Sequence, residues 1–355
     1  MKLDIMNKNE INDKRLLGEF KGMTFSKYKK TEVKKELIKN ILSNKVEAAC
    51  YWSIEFICAG LFAELWEIIF LIYSKHIHIS NPKLPLYIEM RYKHFKTILS
   101  NGYLDDELKL RNNDKSRKLF AEVIAVLCQS PKRQNFTRIK IDKDDFNMTT
   151  LKDNLKAKNV TYAQKVFKPD DPQDLFIAIN EFAYCLSRKQ KNTNDACYWI
   201  EWIFEYESKC KREKKVNIVC ERRMVPVDNQ YQTDVTWLIW DTILKFSKKN
   251  IEKLILSMRN TFCSRFSPGV KKRRRFILYF AVSLVCDMYN LNTKIVTNQK
   301  ILETIKKKID TLYIQIKQNE IRPDTDYLFN NSFTSGSLEK TIAKLEKMNT
   351  LFTTL

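Results

Sequence analysis

Lys271-Lys272-Arg273-Arg274-Arg275 is a run of five consecutive cations leading into the apolar stretch Phe276 to Cys286. Positive charge at the start of a helix opposes the helix dipole. Five cations there fit an anion that exposed backbone N–H groups also attract, such as phosphate. Lys115, Arg117 and Lys118 stand in the matching place ahead of an earlier apolar stretch that ends at Cys128. Arg222-Arg223, Lys209-Cys210-Lys211-Arg212, Lys214-Lys215 and Lys306-Lys307-Lys308 form further clusters. Such cations, without a readable base-contact motif, would grip a nucleic-acid backbone in a salt-sensitive and weakly selective way. A solvated surface or a nuclear-import signal would use the same residues.

Other chemistry is thinly supported. Glu55, Glu67, Glu201 and Asp241 follow tryptophans on otherwise apolar segments. Buried carboxylates need partners, and Arg91, Arg117, Arg259 and Arg275 are available to fix helix register by pairing with them. An acid–base or metal site would instead require at least two of the four to converge on one pocket. The chain has three histidines, His76, His78 and His94. His76-x-His78 offers two imidazoles, too few for a metal site without supporting Cys or carboxylate spacing. No nucleophile elbow, Walker A loop or GxGxxG motif is present. No catalytic residue, metal or cofactor is therefore expected.

These residues must be positioned by helices. Two patterns recur in order: Ala49-Cys50-Tyr51-Trp52 returns as Ala196-Cys197-Tyr198-Trp199, and Met90-Arg91 through Gly102 returns as Met258-Arg259 through Gly269. Leu42-Ser43 and Leu186-Ser187, Trp66-Glu67 and Trp240-Asp241, and Cys128 and Cys286 extend the set. The fold class read from this is all-α, with two tandem, pseudo-repeated bundles of about five helices each and further C-terminal helices. Residues 1–30 read as a basic arm, 31–130 as helical repeat 1, 131–173 as a charged linker and 174–292 as helical repeat 2. The second repeat carries an insertion at about 208–230, with room for a short hairpin. Residues 293–355 read as C-terminal helices.

Apolar stripes at helical spacing support this division: Val33, Leu37 and Ile41; Leu175, Ile179, Phe182 and Leu186; Ile301, Ile305, Ile309, Leu312 and Ile316; then Leu338, Ile342, Leu345 and Met348. Pro82 and Pro85 interrupt the first repeat. Alternation over Arg138 to Asp142 fits a short strand.

Composition narrows the class of partner. The chain has 355 residues, 63 Lys+Arg against 42 Asp+Glu, and a formal net charge of +21. That surplus favours polyanions. Six glycines and eight prolines are too few for a turn-rich β fold. The nine cysteines lack CxxC spacing and mostly sit in apolar stretches, as expected in a reducing compartment. The polar first 20 residues do not read as a signal peptide. Ala48 to Tyr73 carries Glu55, Glu64 and Glu67, too many carboxylates for a lipid-facing span, so no membrane partner is expected.

Thr24-Phe25-Ser26-Lys27-Tyr28-Lys29-Lys30, Ala49 to Ser53, Leu65 to Ile69, Ala121 to Ile124 with Cys128, and Ala196 to Trp202 form a collinear set. Through it the chain, over roughly residues 20–290, resembles a family of uncharacterised proteins of nucleocytoplasmic large DNA viruses of algae and protists. The resemblance implies no activity and no catalytic residue. It implies a setting, the cytoplasm or nucleus of an infected host cell or the virion, with a large DNA genome nearby and viral or host proteins as partners. The expected function is a non-enzymatic, nucleic-acid-associated accessory protein of replication, transcription or packaging. The alternative is a helical protein–protein scaffold or virion component that does not touch nucleic acid.

Overall fold

Apolar residues three and four apart in a chain poor in glycine and proline leave helices as the way to bury them, and the computed structural model is predominantly helical. It describes residues 9–104, 106–187 and 191–322, and no strand occurs among them. The first half comprises α1 (Lys30–Leu42), α2 (Val46–Cys58), α3 (Phe62–Ile72), α4 (Leu84–Ser100) and α5 (Asp114–Gln129). A short helix, α6 (Met148–Asn154), lies in the connection. The second half comprises α7 (Phe176–Leu186), α8 (Thr193–Lys209), α9 (Val235–Phe246), α10 (Lys249–Cys263), α11 (Pro268–Arg273) and α12 (Arg275–Cys286), and α13 (Gln299–Lys317) follows. Side chains mark several starts: Asn113, Asn192, Asp234 and Asn298 each accept a first-turn N–H of α5, α8, α9 and α13.

In the first half α1 packs on α2, α2 on α5, and α3 and α4 on α5. In the second half α7 packs on α8, α8 on α12, and α9 and α10 on α12. The halves join where α4 lies along α10 and where α12 meets α3 and the turns that follow it. The seam is partly polar: the Tyr73 hydroxyl bonds Thr261 Oγ1 at 3.0 Å, and Asn260 donates to Glu89 at 2.8 Å. One continuous apolar core runs through both halves.

Each half has a face covered from outside. Helix α13 lies in the groove of α2 and α5 and buries Leu302, Ile305, Ile309, Leu312, Tyr313 and Ile316. Over α8 and Tyr279 of α12 lies the chain of residues 136–154. Phe146 packs on Trp202 at 5.2 Å, Phe136 on Tyr279 at 5.8 Å, and Trp202 Nε1 donates to the Asp145 carbonyl at 3.1 Å.

Four expectations change. Residues 1–30 do not form an arm where described. Ile11, Phe20 and Phe25 are buried, and Arg15 is stacked on both phenylalanines and paired with Asp13. Residues 131–173 are not a bare linker, since half-buried aromatics tie much of them to the second half. Arg138 to Asp142 runs without a strand ladder, and residues 208–230 form no hairpin; their extended part reaches the turn before α9 through Cys220 N to Thr233 O and Arg223 N to Gln232 O. The helix expected around Leu338 to Met348 lies outside the described residues.

The thiols are free, and eight of the nine are buried. Cys50 lies within electrostatic reach of Cys128, and Cys197 of Cys286. Burial raises all four thiols: Cys50 and Cys197 well above the ordinary 9.0, Cys128 and Cys286 to about 12.

Candidate functional site

The five-cation run straddles the joint between α11 and α12, and its members point in different directions. Lys271 is buried, with its ammonium between two carboxylates: 2.5 and 2.7 Å from the Glu207 oxygens and 2.9 Å from Asp234 Oδ2. Lys272 is half-buried and donates to Ser208 Oγ at 2.7 Å. Arg273 is exposed. Arg274 is buried, donates through Nε to Glu67 of α3 at 3.1 Å, and places Nη1 on the carbonyls of Phe262 and Ser264 at 2.7 and 2.5 Å. Arg275 is buried against Glu201, which also accepts the Tyr279 hydroxyl at 3.0 Å. Burial pushes the Glu201 carboxyl above its ordinary range even so.

This resolves the dipole conflict posed by the run. Arg274 satisfies free carbonyls at the C-terminal end of α10, where a cation is favourable, and ties that end to the other half of the molecule. Lys271, Arg274 and Arg275 are therefore structural pairs and not phosphate contacts, correcting the expectation drawn from their spacing.

The first-half cluster divides the same way. Arg117 is buried, donates to Asp310 of α13 at 2.8 and 3.0 Å, and lies 4.1 Å over the Tyr313 ring. Lys118 pairs with Asp114 one turn back at 2.9 Å, and Lys115 is exposed. Arg223 is buried against Asp171 and donates to Asp241 at 3.1 Å, while its neighbour Arg222 is exposed. Across the 271–275, 115–118 and 222–223 clusters, Lys115, Arg222 and Arg273 are exposed, with Lys118 and Lys272 partly so.

One meeting is new. The 209–215 cluster and the 271–275 run converge on a cleft of about 380 Å³ in the second half. Its walls come from the end of α8 (Glu207, Ser208), the segment that follows it (Lys211, Asn217, Ile218, Val219), the turn before α9 (Gln230, Tyr231, Asp234) and α11 (Pro268, Lys271, Lys272). Lys211 stands in the π-helical turn that ends α8, Cys210–Lys214, which is closed by Lys215 in a left-handed conformation, φ +54°. A wide turn of this type, stopped by a non-glycine residue at positive φ, is an uncommon and mildly strained arrangement. Burial raises the Glu207 carboxyl, with Lys271 lowering it and Asp234 raising it. In the sequence Lys211 stands out only as one member of a basic cluster, with no sign that it faces a cleft. Asp234 was open to recognition as an N-cap ahead of Val235-Thr236, but nothing in the spacing joined it to Glu207 or Lys271.

Against family models, curated proteins and solved structures the chain finds no match. The site must be read from its own chemistry.

The four carboxylates that could have formed an acid–base or metal centre are dispersed. Glu55 accepts Ser26 N and Oγ, Glu67 binds Arg274, Glu201 binds Arg275, and Asp241 binds Arg223. None lines the cleft. Among the described residues no group of three or more His, Cys, Asp or Glu is arranged to hold a metal ion. His76 and His78 are buried and tied to the next segment, His76 Nδ1 to Asn135 Oδ1 and His78 Nε2 to the Gln134 carbonyl. Among the described residues no helix is long and apolar enough to cross a membrane.

Proposed function

We propose that this chain is a non-enzymatic accessory protein that binds the phosphate backbone of a nucleic acid, in the replication, transcription or packaging of a large DNA virus. The observation that carries the reading is the meeting of two cationic segments at one cleft in a chain of net charge +21. Lys211 (exposed) and Lys272 (half-exposed) line that cleft, and the exposed Lys215 and Arg273 belong to the same two cationic segments. Such a surface gathers phosphates by counterion release without needing sequence readout.

We also infer that the body is a tandem duplicate, with α1–α5 corresponding to α7–α10 and α12. Supporting this are the shared packing order of the two sets and the neighbouring thiol pairs Cys50/Cys128 and Cys197/Cys286 at matched sequence positions. The insertion is then an addition to the second copy, and it supplies one wall of the cleft.

The scaffold reading keeps one observation on its side. Val216, Val219 and Met224 are exposed on the insertion, Met224 to 86%. The tryptophans that would have formed an adhesive patch, Trp202, Trp237 and Trp240, are buried.

The test is fluorescence anisotropy with labelled DNA and RNA across a salt series. The native chain is compared with a variant carrying Lys211→Glu, Lys215→Glu and Arg273→Glu, all exposed positions whose reversal leaves the buried pairs intact. Binding should fall steeply with salt, and the variant should show a slope shallower by about one for each phosphate it no longer neutralises. Equal binding by both proteins moves the interface elsewhere. No binding at low salt returns the cations to plain surface and favours the scaffold.

A further inference from the structure

We propose that the cleft between the insertion and the start of α11 seats an unpaired nucleotide, so that the protein prefers single-stranded nucleic acid to duplex. This rests on the nucleic-acid reading above and narrows it. The lining separates into parts that match the parts of a nucleotide. Lys211 and Lys272, from two different segments of the lining, offer ammonium groups for a phosphate, Lys272 while also donating to Ser208 Oγ. Ile218 and Val219 offer an apolar wall against which a base face can lie, and Pro268 adds apolar surface from the α11 side. Asn217 and Gln230 are exposed amides, each with donors and an acceptor for base edges. The third lysine of the lining is already committed, since Lys271 is held by Glu207 and Asp234. That one ammonium offsets one of the two carboxylate charges, and Lys211 and Lys272 outweigh the charge that remains when a phosphate approaches.

Shape decides between single strand and duplex. A cavity of about 380 Å³ lies at the small end of ligand sites and has the scale of one nucleotide. In a duplex the bases are stacked and paired, so only the outer phosphates could reach the rim. A single strand can turn a base out against the apolar wall while its phosphates track the cations, the pairing of groove and platform on which single-strand binders rely. The location fits as well. The wall is built by the extra segment of the second half, and Lys211 stands in the π-helical turn that Lys215 closes.

The experiment compares a labelled single strand with the matching duplex in anisotropy titrations at one salt concentration. The proteins are the native chain and a Val219→Trp variant, which fills the cleft from an exposed position; equal thermal melting of the two verifies that folding is unchanged. A nucleoside 5′-monophosphate serves as a competitor. The expected result is roughly ten-fold tighter binding of the single strand, a loss of about that factor in Val219→Trp with duplex binding unmoved, and competition by the mononucleotide. Equal affinity for both forms, untouched by the filled cleft, overturns the cleft proposal and leaves backbone binding standing. Absence of binding to either form removes the nucleic-acid reading and this inference with it.

Discussion

Arg117 in α5 and Arg275 in α12 are both buried cations beside a covered face, yet they are satisfied in opposite ways. Arg117 reaches out of its bundle to Asp310, a residue of the covering helix α13 that keeps 41% of its side chain exposed. Arg275 is paired inside its own bundle with Glu201, only 3% exposed, and Tyr279 completes that carboxylate. The cover over the second face adds the exposed Arg138 at 3.5 Å from Glu201 and otherwise holds by aromatic contact and by hydrogen bonds such as those of Asp145 with Trp202 and Tyr198. The first half is thus locked from outside, and the second is electrostatically complete before its cover arrives. A buried charge needs a partner, but the fold is free to choose whether that partner belongs to the bundle or to what covers it.

Removing the covers would test this most severely. Ending the chain before Gln299 would strip six buried side chains from α2 and α5 and leave Arg117 unpaired. At about 1.5–3 kcal/mol each the forfeited burial is on the order of 10 kcal/mol, comparable to the stability of a whole domain. Hydrogen exchange should show α2 and α5 unprotected while α8 and α12 stay protected. Uniform protection would show that α13 is an ornament and the contrast is false.

Arg275→Met comes next. It strands Glu201 in the interior and should cost about 3–5 kcal/mol in urea denaturation. Its deficit should depend on pH with a defined sign. Glu201 already titrates above its ordinary 4.5 because of burial, and losing Arg275 raises it further in the folded state only. The folded protein then holds more protons than the unfolded one, so stability falls as pH rises through that window and the deficit shrinks on acidification below it. A deficit constant across that range would mean that Arg275 acts by packing alone. The smallest effect is expected for Arg117→Met, about 1–3 kcal/mol, because water can reach the abandoned Asp310. An Arg117 variant as damaged as the Arg275 variant would erase the distinction between the two faces.

The helices were legible because their stripes are regular. Val33, Leu37 and Ile41 are buried as their spacing requires, and so are Leu175, Ile179, Phe182 and Leu186. In α13 the stripe holds from Ile305 to Ile316, but Leu302 replaces Ile301 as the buried member, since a strict four-residue step drifts around a helix of 3.6 residues per turn. Residues 11–25 and 136–146 were not legible in this way because they pack as single aromatic or aliphatic anchors without a period. The pairing of Glu201 with Arg275 was within reach of sequence reasoning. The burial of Lys271 and Arg274 was not, because their carboxylate partners lie 37 to 207 residues away along the chain and no pattern links them. For the same reason the cleft was invisible: it is assembled from four separated segments, each ordinary when read alone.

The thiols offer a consequence of a different kind. Cys50 lies in the first half and Cys197 in the second, both fully covered and both far from thiolate form at neutral pH. A thiol reagent can reach them only when their surroundings part, so their rates of alkylation are clocks for opening. Because matching clocks sit in the two halves, a single mass-spectrometric time course, read peptide by peptide, times the breathing of one half against the other without any label being engineered into the chain.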